Sequence, residues 1–92
     1  MAQKYGIEPE LSWRVIDDEA VILRMSETTY YSLNPVGTMI WNEMEKHPCS
    51  RDELIEKVFS GCEGTDLKTV TTDVDELLKD FVQQNLVVEI NA

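Results

Sequence analysis

The chain is poor in the residues that usually build chemistry: over 92 residues it has one histidine, two cysteines, and eight Lys and Arg against eighteen Asp and Glu. With a single histidine, no G-x-S-x-G elbow and no Gly-rich phosphate loop, the common hydrolytic and phosphoryl-transfer constellations are excluded. The carboxylates are spread over helix faces as a solvated surface would be, and Asp17 and Asp18 fall in a turn, where aspartate is common for turn reasons alone. The chain therefore reads as a non-enzyme. Its shortage of basic residues leaves a net charge of −10, which repels nucleic acid and anionic lipid and leaves neutral or basic partners. No apolar run approaches the roughly 20 residues needed to span a bilayer, and residues 1–6 lack a signal-peptide core, so the expected location is the cytoplasm.

Cys49 and Cys62 are too far apart for a C-x-x-C redox motif. His47 lies near Cys49, but a closed zinc site wants four ligands, so the expectation is two free thiols, a surface histidine, and no metal or other cofactor. The length suits one domain over residues 1–92 with one modest core, whose ordered part is expected from about residue 11 to 90.

What the chain does contain is a clear order of elements. Residues 11–17 alternate, with Leu11, Trp13 and Val15 on one face and Ser12, Arg14 and Ile16 on the other. Asp17-Asp18-Glu19 breaks the pattern and residues 20–25 resume it, so the pair reads as a hairpin. A polar turn over residues 26–29 leads to a third strand at residues 30–33, with Tyr31 and Leu33 on one face. A meander of this kind leaves the third strand at an edge. Asn34 suits an N-cap and Pro35 the first helical position, so this strand should run straight into a helix carrying Val36, Ile40, Trp41 and Met44 and ending at His47-Pro48. Ser50 and Glu53 form a capping box ahead of Leu54, Ile55, Val58 and Phe59, with Gly61 as the stop. After a Gly-containing loop at residues 62–65, Asp66 caps a last helix with Val70, Val74, Leu77, Leu78, Phe81 and Val82 at helical spacing. Asn85 ends it in a left-handed turn, and residues 86–90 read as an apolar tail or small strand. Residues 1–10, 91 and 92 lack a pattern and are expected to fray.

The expected fold is thus α+β and winged-helix-like, a three-stranded antiparallel meander followed by three helices. DNA binding is disfavoured, because the last helix carries Asp66, Asp73, Asp75, Glu76 and Asp80 against only Lys68 and Lys79.

The ordered set Asp18-Glu19-Ala20-Val21-Ile22-Leu23, then Tyr31-x-Leu33-Asn34-x-x-Gly37-x-x-Ile40-Trp41, then a capping-box helix, then Asp73-Val74, Leu77-Leu78 and Asn85-Leu86-Val87 resembles the PqqD-like family over most of residues 17–89. That resemblance implies a peptide-recognition element that binds the leader of a ribosomally made precursor and presents it to a modifying enzyme, such as a radical enzyme or a lasso-pathway protease or cyclase. It implies that the leader adds as a strand to the third strand, in a groove facing the last helix. Physically, an unpaired edge at Thr29, Tyr30, Tyr31, Ser32 and Leu33 offers backbone donors and acceptors to any sequence, while Val70, Asp73, Val74 and Leu77 stand as candidates for the opposite wall. The same apolar residues are also candidates for the core, to which Ile40, Trp41 and Leu78 are assigned. Asp73, Glu76 and Asp80 share one helix face and point to a basic leader or a basic docking surface on the enzyme. The oligomeric expectation is a monomer or weak dimer. The alternative is a non-catalytic winged-helix adaptor that docks a protein partner through its acidic last helix while the strand edge stays idle.

Overall fold

The computed structural model describes residues 3–24, 26, 29–62 and 64–91. Its strands are β1 (Gln3–Ile7), β2 (Leu11–Ile16), β3 (Glu19–Arg24), β4 (Thr29–Ser32), β5 (Cys49–Ser50) and β6 (Val87–Asn91), and its helices α1 (Pro35–Lys46), α2 (Arg51–Gly61) and α3 (Leu67–Gln83). The expected meander is present as an antiparallel sheet in the order β2-β3-β4, so the class is α+β as anticipated. Ile16 pairs with Glu19 across a two-residue turn in which Asp17 and Asp18 both take positive φ, at 50° and 63°. Two left-handed residues in succession match the twist of a hairpin, and aspartate tolerates that region better than most side chains. Met25, placed in the second strand by its pattern, lies outside the described residues, as do Glu27 and Thr28 of the following turn and Glu63 of the later loop.

The helices begin and end where their caps dictate. Asn34 Oδ1 accepts the Gly37 N–H at 2.7 Å, with Pro35 in the first turn, and α1 stops before Pro48, where His47 is extended. Ser50 and Glu53 complete a reciprocal capping box at 3.2 and 3.1 Å. Asp66 Oδ1 accepts from Thr69 N–H at 2.7 Å; the Ser50 N–H chiefly holds the Glu53 carboxyl below the usual range, and the Thr69 side chain, followed by its backbone N–H, does the same for Asp66. At the far end of α3, Asn85 takes φ 60°, its N–H reaches the Val82 carbonyl, and the Leu86 N–H reaches the Phe81 carbonyl at 2.9 Å. This is a Schellman closure, and the buried Leu86 supplies its apolar contact. Arg24 Nη2 donates to the Gln84 and Asn85 carbonyls at 3.0 and 2.6 Å, so the sheet's guanidinium neutralises the negative end of the helix.

The core lies between this sheet and the helices. Ala20, Ile22, Ile40, Trp41, Leu54, Val74 and Phe81 are among its fully closed members. Trp41 is the hub, set edge-on to Trp13 at 5.5 Å and to Phe81 at 6.1 Å between ring centres, which ties the sheet, α1 and α3 into one aromatic column.

Three expectations need correction. Residues 3–7 do not fray: β1 pairs with β6 from Gln3↔Asn91 to Ile7↔Val87 and with β5 through Tyr5↔Cys49, forming a second sheet in the order β5-β1-β6. Asn91 accordingly closes a strand, while Met1, Ala2 and Ala92 lie outside the described residues. The ordered region therefore starts well before residue 11; the pairing that orders it comes from the opposite end of the chain and leaves no local period. Phe59 is 41% exposed, because at about 100° per residue it is rotated to the margin of the stripe formed by Leu54, Ile55 and Val58. Val15, expected to share the apolar face of Leu11 and Trp13, stays 44% exposed beside the hairpin tip.

Among the described residues no helix is long and apolar enough to cross a membrane.

Candidate peptide-binding edge and groove

Among the described residues β4 pairs only with β3 and forms one edge of its sheet. Its register decides which backbone groups face that edge. The Leu33 N–H donates to the Ala20 carbonyl at 2.8 Å, so Ala20 and Leu33 form a hydrogen-bonded pair. Because such pairs alternate in an antiparallel ladder, Tyr31 and Thr29 also turn their backbone groups toward β3, while those of Tyr30 and Ser32 point to the open side. The edge thus offers two residues with donors and acceptors suited to an added strand.

The side chains alternate perpendicular to this plane. Leu33 is buried and Tyr31 half-buried toward the helices, whereas Tyr30 is 66% exposed on the outer face. There it joins Ser12, Trp13, Arg14, Ile16, Val21 and Leu23 around a shallow hollow of about 380 Å³.

A second hollow, of about 350 Å³, opens where β4 turns into α1. Asn34 and Val36 form one side, and Asp73, Glu76, Leu77 and Asp80 of α3 the other. Gly37 allows this approach: a Cβ there would stand 3.3 Å from Leu33 Cβ and 3.7 Å from Leu77 Cδ2. Among the described residues three carboxylates and no basic side chain line this hollow, which makes it an attractive seat for a cation beside an apolar wall. On another side of α3, Asp75 is engaged by Arg51 of α2 through Nε–Oδ1 and through Nη2–Oδ2 at 2.9 Å, and this hydrogen bonding holds the Asp75 carboxyl below its usual range.

The expected site residues therefore divide. Asp73 and Leu77 come together at the hollow beside the β4–α1 corner, and Tyr30 and Ser32 present the edge. Val70 and Val74 are buried in the core, behind the exposed face of α3. Thr29 is half-buried at the start of β4. Asn34 and Val36 were not named from sequence as site residues, although their place directly after the third strand is the signal that would have found them.

Two solved structures share this architecture. One, TbiB1 in complex with the TbiA(beta) leader peptide, superposes with a TM-score of 0.79 at 27% identity, over 89% of this chain and 93% of that one. The other, a lasso peptide synthetase B1 complexed with the leader peptide, shows the same fold with a TM-score of 0.75 at 19% identity, over 91% of this chain and 96% of that one. No curated protein matches the sequence significantly. The family model of Coenzyme PQQ synthesis protein D (PqqD) matches residues 19–87, from the start of β3 to the start of β6, and the chain belongs to the PqqD family.

Proposed function

We propose that this protein captures the leader segment of a ribosomally synthesised precursor peptide as an additional strand on β4 and presents it to a modifying enzyme, with no chemistry of its own. The observation that carries this reading is the open edge of β4, with the backbone groups of Tyr30 and Ser32 turned outward beside the acidic hollow. The likeness to TbiB1, a protein solved with a leader peptide bound, supports it.

In this reading Tyr30 and Ser32 carry the backbone ladder, Thr29 anchors the start of β4 against β3, and Tyr31 and Leu77 contact apolar leader side chains. Leu33, Val70 and Val74 hold the wall from beneath. Asp73, with Glu76 and Asp80, receives a basic side chain of the leader. The partner enzyme is of the radical or lasso-pathway protease and cyclase kind, acting in the cytoplasm. The loading form is the monomer, because a second copy pairing through β4 would occupy the same edge.

The test is an amide-resolved NMR titration of labelled protein with the leader of the short precursor encoded beside it. Strand addition gives saturable shifts at residues 29–33 and 70–77, at micromolar or tighter affinity. Silence at residues 29–33 with the fold intact rejects strand addition, and shifts confined to Asp73, Glu76 and Asp80 would instead favour an adaptor docking through the acidic helix.

A further inference from the structure

The turn between α1 and α2 gathers three side chains that the peptide groove does not use. One ligand atom from each of His47, Cys49 and Glu53 lies within 4.8 Å of the others. Sequence spacing brings only His47 and Cys49 to mind; Glu53 joins them because the capping box folds its carboxylate back over the Ser50 N–H. We infer that His47, Cys49 and Glu53 form a binding site for a divalent transition-metal ion of the zinc class, with the fourth position open to water.

The geometry is near what such an ion needs. Cys49 Sγ stands 3.8 Å from His47 Nδ1. Bonds of about 2.3 Å to sulfur and about 2.0 Å to nitrogen at a tetrahedral angle separate the two ligands by roughly 3.5 Å, so this pair closes by a few tenths of an ångström, and the exposed Glu53 carboxylate, within 4.8 Å of both, reaches the ion by side-chain rotation. The same nitrogen lies 2.9 Å from the Pro48 carbonyl, which can only accept, so in the metal-free chain Nδ1 carries the ring proton and binding requires the other tautomer, protonated on Nε2, with this hydrogen bond given up. Cys49 is buried, with its thiol donating to the His47 carbonyl at 3.2 Å, whereas His47 and Glu53 are both exposed, so the ion approaches from their side. Next to this turn, Glu43, Glu53, Glu56 and Lys57 line a surface hollow of about 320 Å³, which places an excess of carboxylates along the approach. The mixed thiolate, imidazole and carboxylate set suits zinc or cobalt better than the hard magnesium or calcium ions. On binding, the Cys49 S–H bond breaks and its proton passes to solvent, the His47 ring proton leaves Nδ1 while Nε2 takes one up from solvent, and the sulfur–metal and nitrogen–metal bonds form with no change of oxidation state.

The full chain, kept reduced, is titrated with Co²⁺ and the sulfur-to-cobalt charge-transfer absorption is read, followed by displacement with Zn²⁺. One equivalent should bind. The band should be retained in Cys62→Ser and lost in Cys49→Ser. His47→Ala and Glu53→Gln lie at the surface, and Gln can still accept the capping hydrogen bond, so both variants should fold. Loss of a direct ligand should weaken binding by at least the roughly 10- to 100-fold seen for outer-shell partners. No band in the unaltered chain, a band surviving in Cys49→Ser, or unchanged affinity in either His47→Ala or Glu53→Gln overturns the assignment.

Discussion

The hydroxyl of Thr38 accepts the backbone N–H of Ala20 at 2.8 Å, a hydrogen bond that a regular ladder would direct to Leu33. The same hydroxyl lies 3.5 Å from the Leu33 carbonyl, to which it donates, so one buried side chain from α1 takes the place of a rung between β3 and β4. The strand can then leave the sheet and enter the helix with no intervening loop while its last polar groups stay satisfied. The edge strand β4 and the first helix are locked at this point.

Thr38→Val keeps the shape and removes the hydroxyl, leaving a buried donor and acceptor unpaired. Each such group costs about 1–3 kcal/mol, so urea denaturation should show a loss of that order, while Thr38→Ser should restore most of it. Equal stability of the two variants would mean that the bridge contributes nothing.

Ser32→Pro removes an N–H that points to the open side of β4. Leader affinity should fall on the order of tenfold, with the thermal midpoint little changed. Tyr31→Pro removes a rung to β3 and should lower the midpoint itself. If the two variants behaved alike, the deduced orientation of the edge would be wrong.

Neutralising the acidic hollow with Asp73→Asn, Glu76→Gln and Asp80→Asn should slow association with a basic leader and flatten its dependence on salt. The check is stopped-flow binding at two ionic strengths. An unaltered salt response in the triple variant would remove this cleft from the electrostatics of capture.

Asn85 holds a left-handed conformation that a Cβ-bearing residue without a local polar side chain adopts at a cost of roughly 1–2 kcal/mol. Asn85→Ala should therefore destabilise the chain by about 1 kcal/mol and Asn85→Gly much less, as read from chemical denaturation.

Burial, and secondarily the carboxylates of Glu53 and Glu43, push the Cys49 thiol from 9.0 up to about 11. The folded chain therefore keeps this proton at a pH where the unfolded chain has lost it. The contribution is fully present below pH 9 and is lost as pH rises toward 11, a fall on the order of 2–3 kcal/mol. In metal-free protein that loss should be smaller in Cys49→Ala, and iodoacetamide should modify the half-buried Cys62 first.

Much of this molecule is legible in its sequence because its signals are local. Asn34-Pro35, Ser50 with Glu53, Asp66 and Asn85 each act within four residues of themselves, and each marks an element boundary where expected. The elements that escape are held by distant partners: Gln3–Ile7 contains a lysine and a buried glycine in no regular order, and becomes a strand because β5 and β6 flank it. The site is half legible for a related reason. An apolar repeat such as Val70, Val74 and Leu77 marks a covered stripe but not what covers it, and only Leu77 reaches the groove. The orientation of Tyr30 and Ser32 depends on a single register bond at Leu33, which no pattern of side chains encodes.

The pairing of Gln3 with Asn91 sets the two ends of the described chain opposite each other on adjacent strands of one sheet. For protein engineering the domain is close to a closed ring: a linker fused at either end departs from nearly the same point, and a leader tethered by equal lengths at the N- or C-terminal side meets β4 at a comparable effective concentration. It also suits insertion as a cassette into a surface loop of another protein, since the host needs to spread its own chain by only about the spacing of two adjacent strands, near 5 Å.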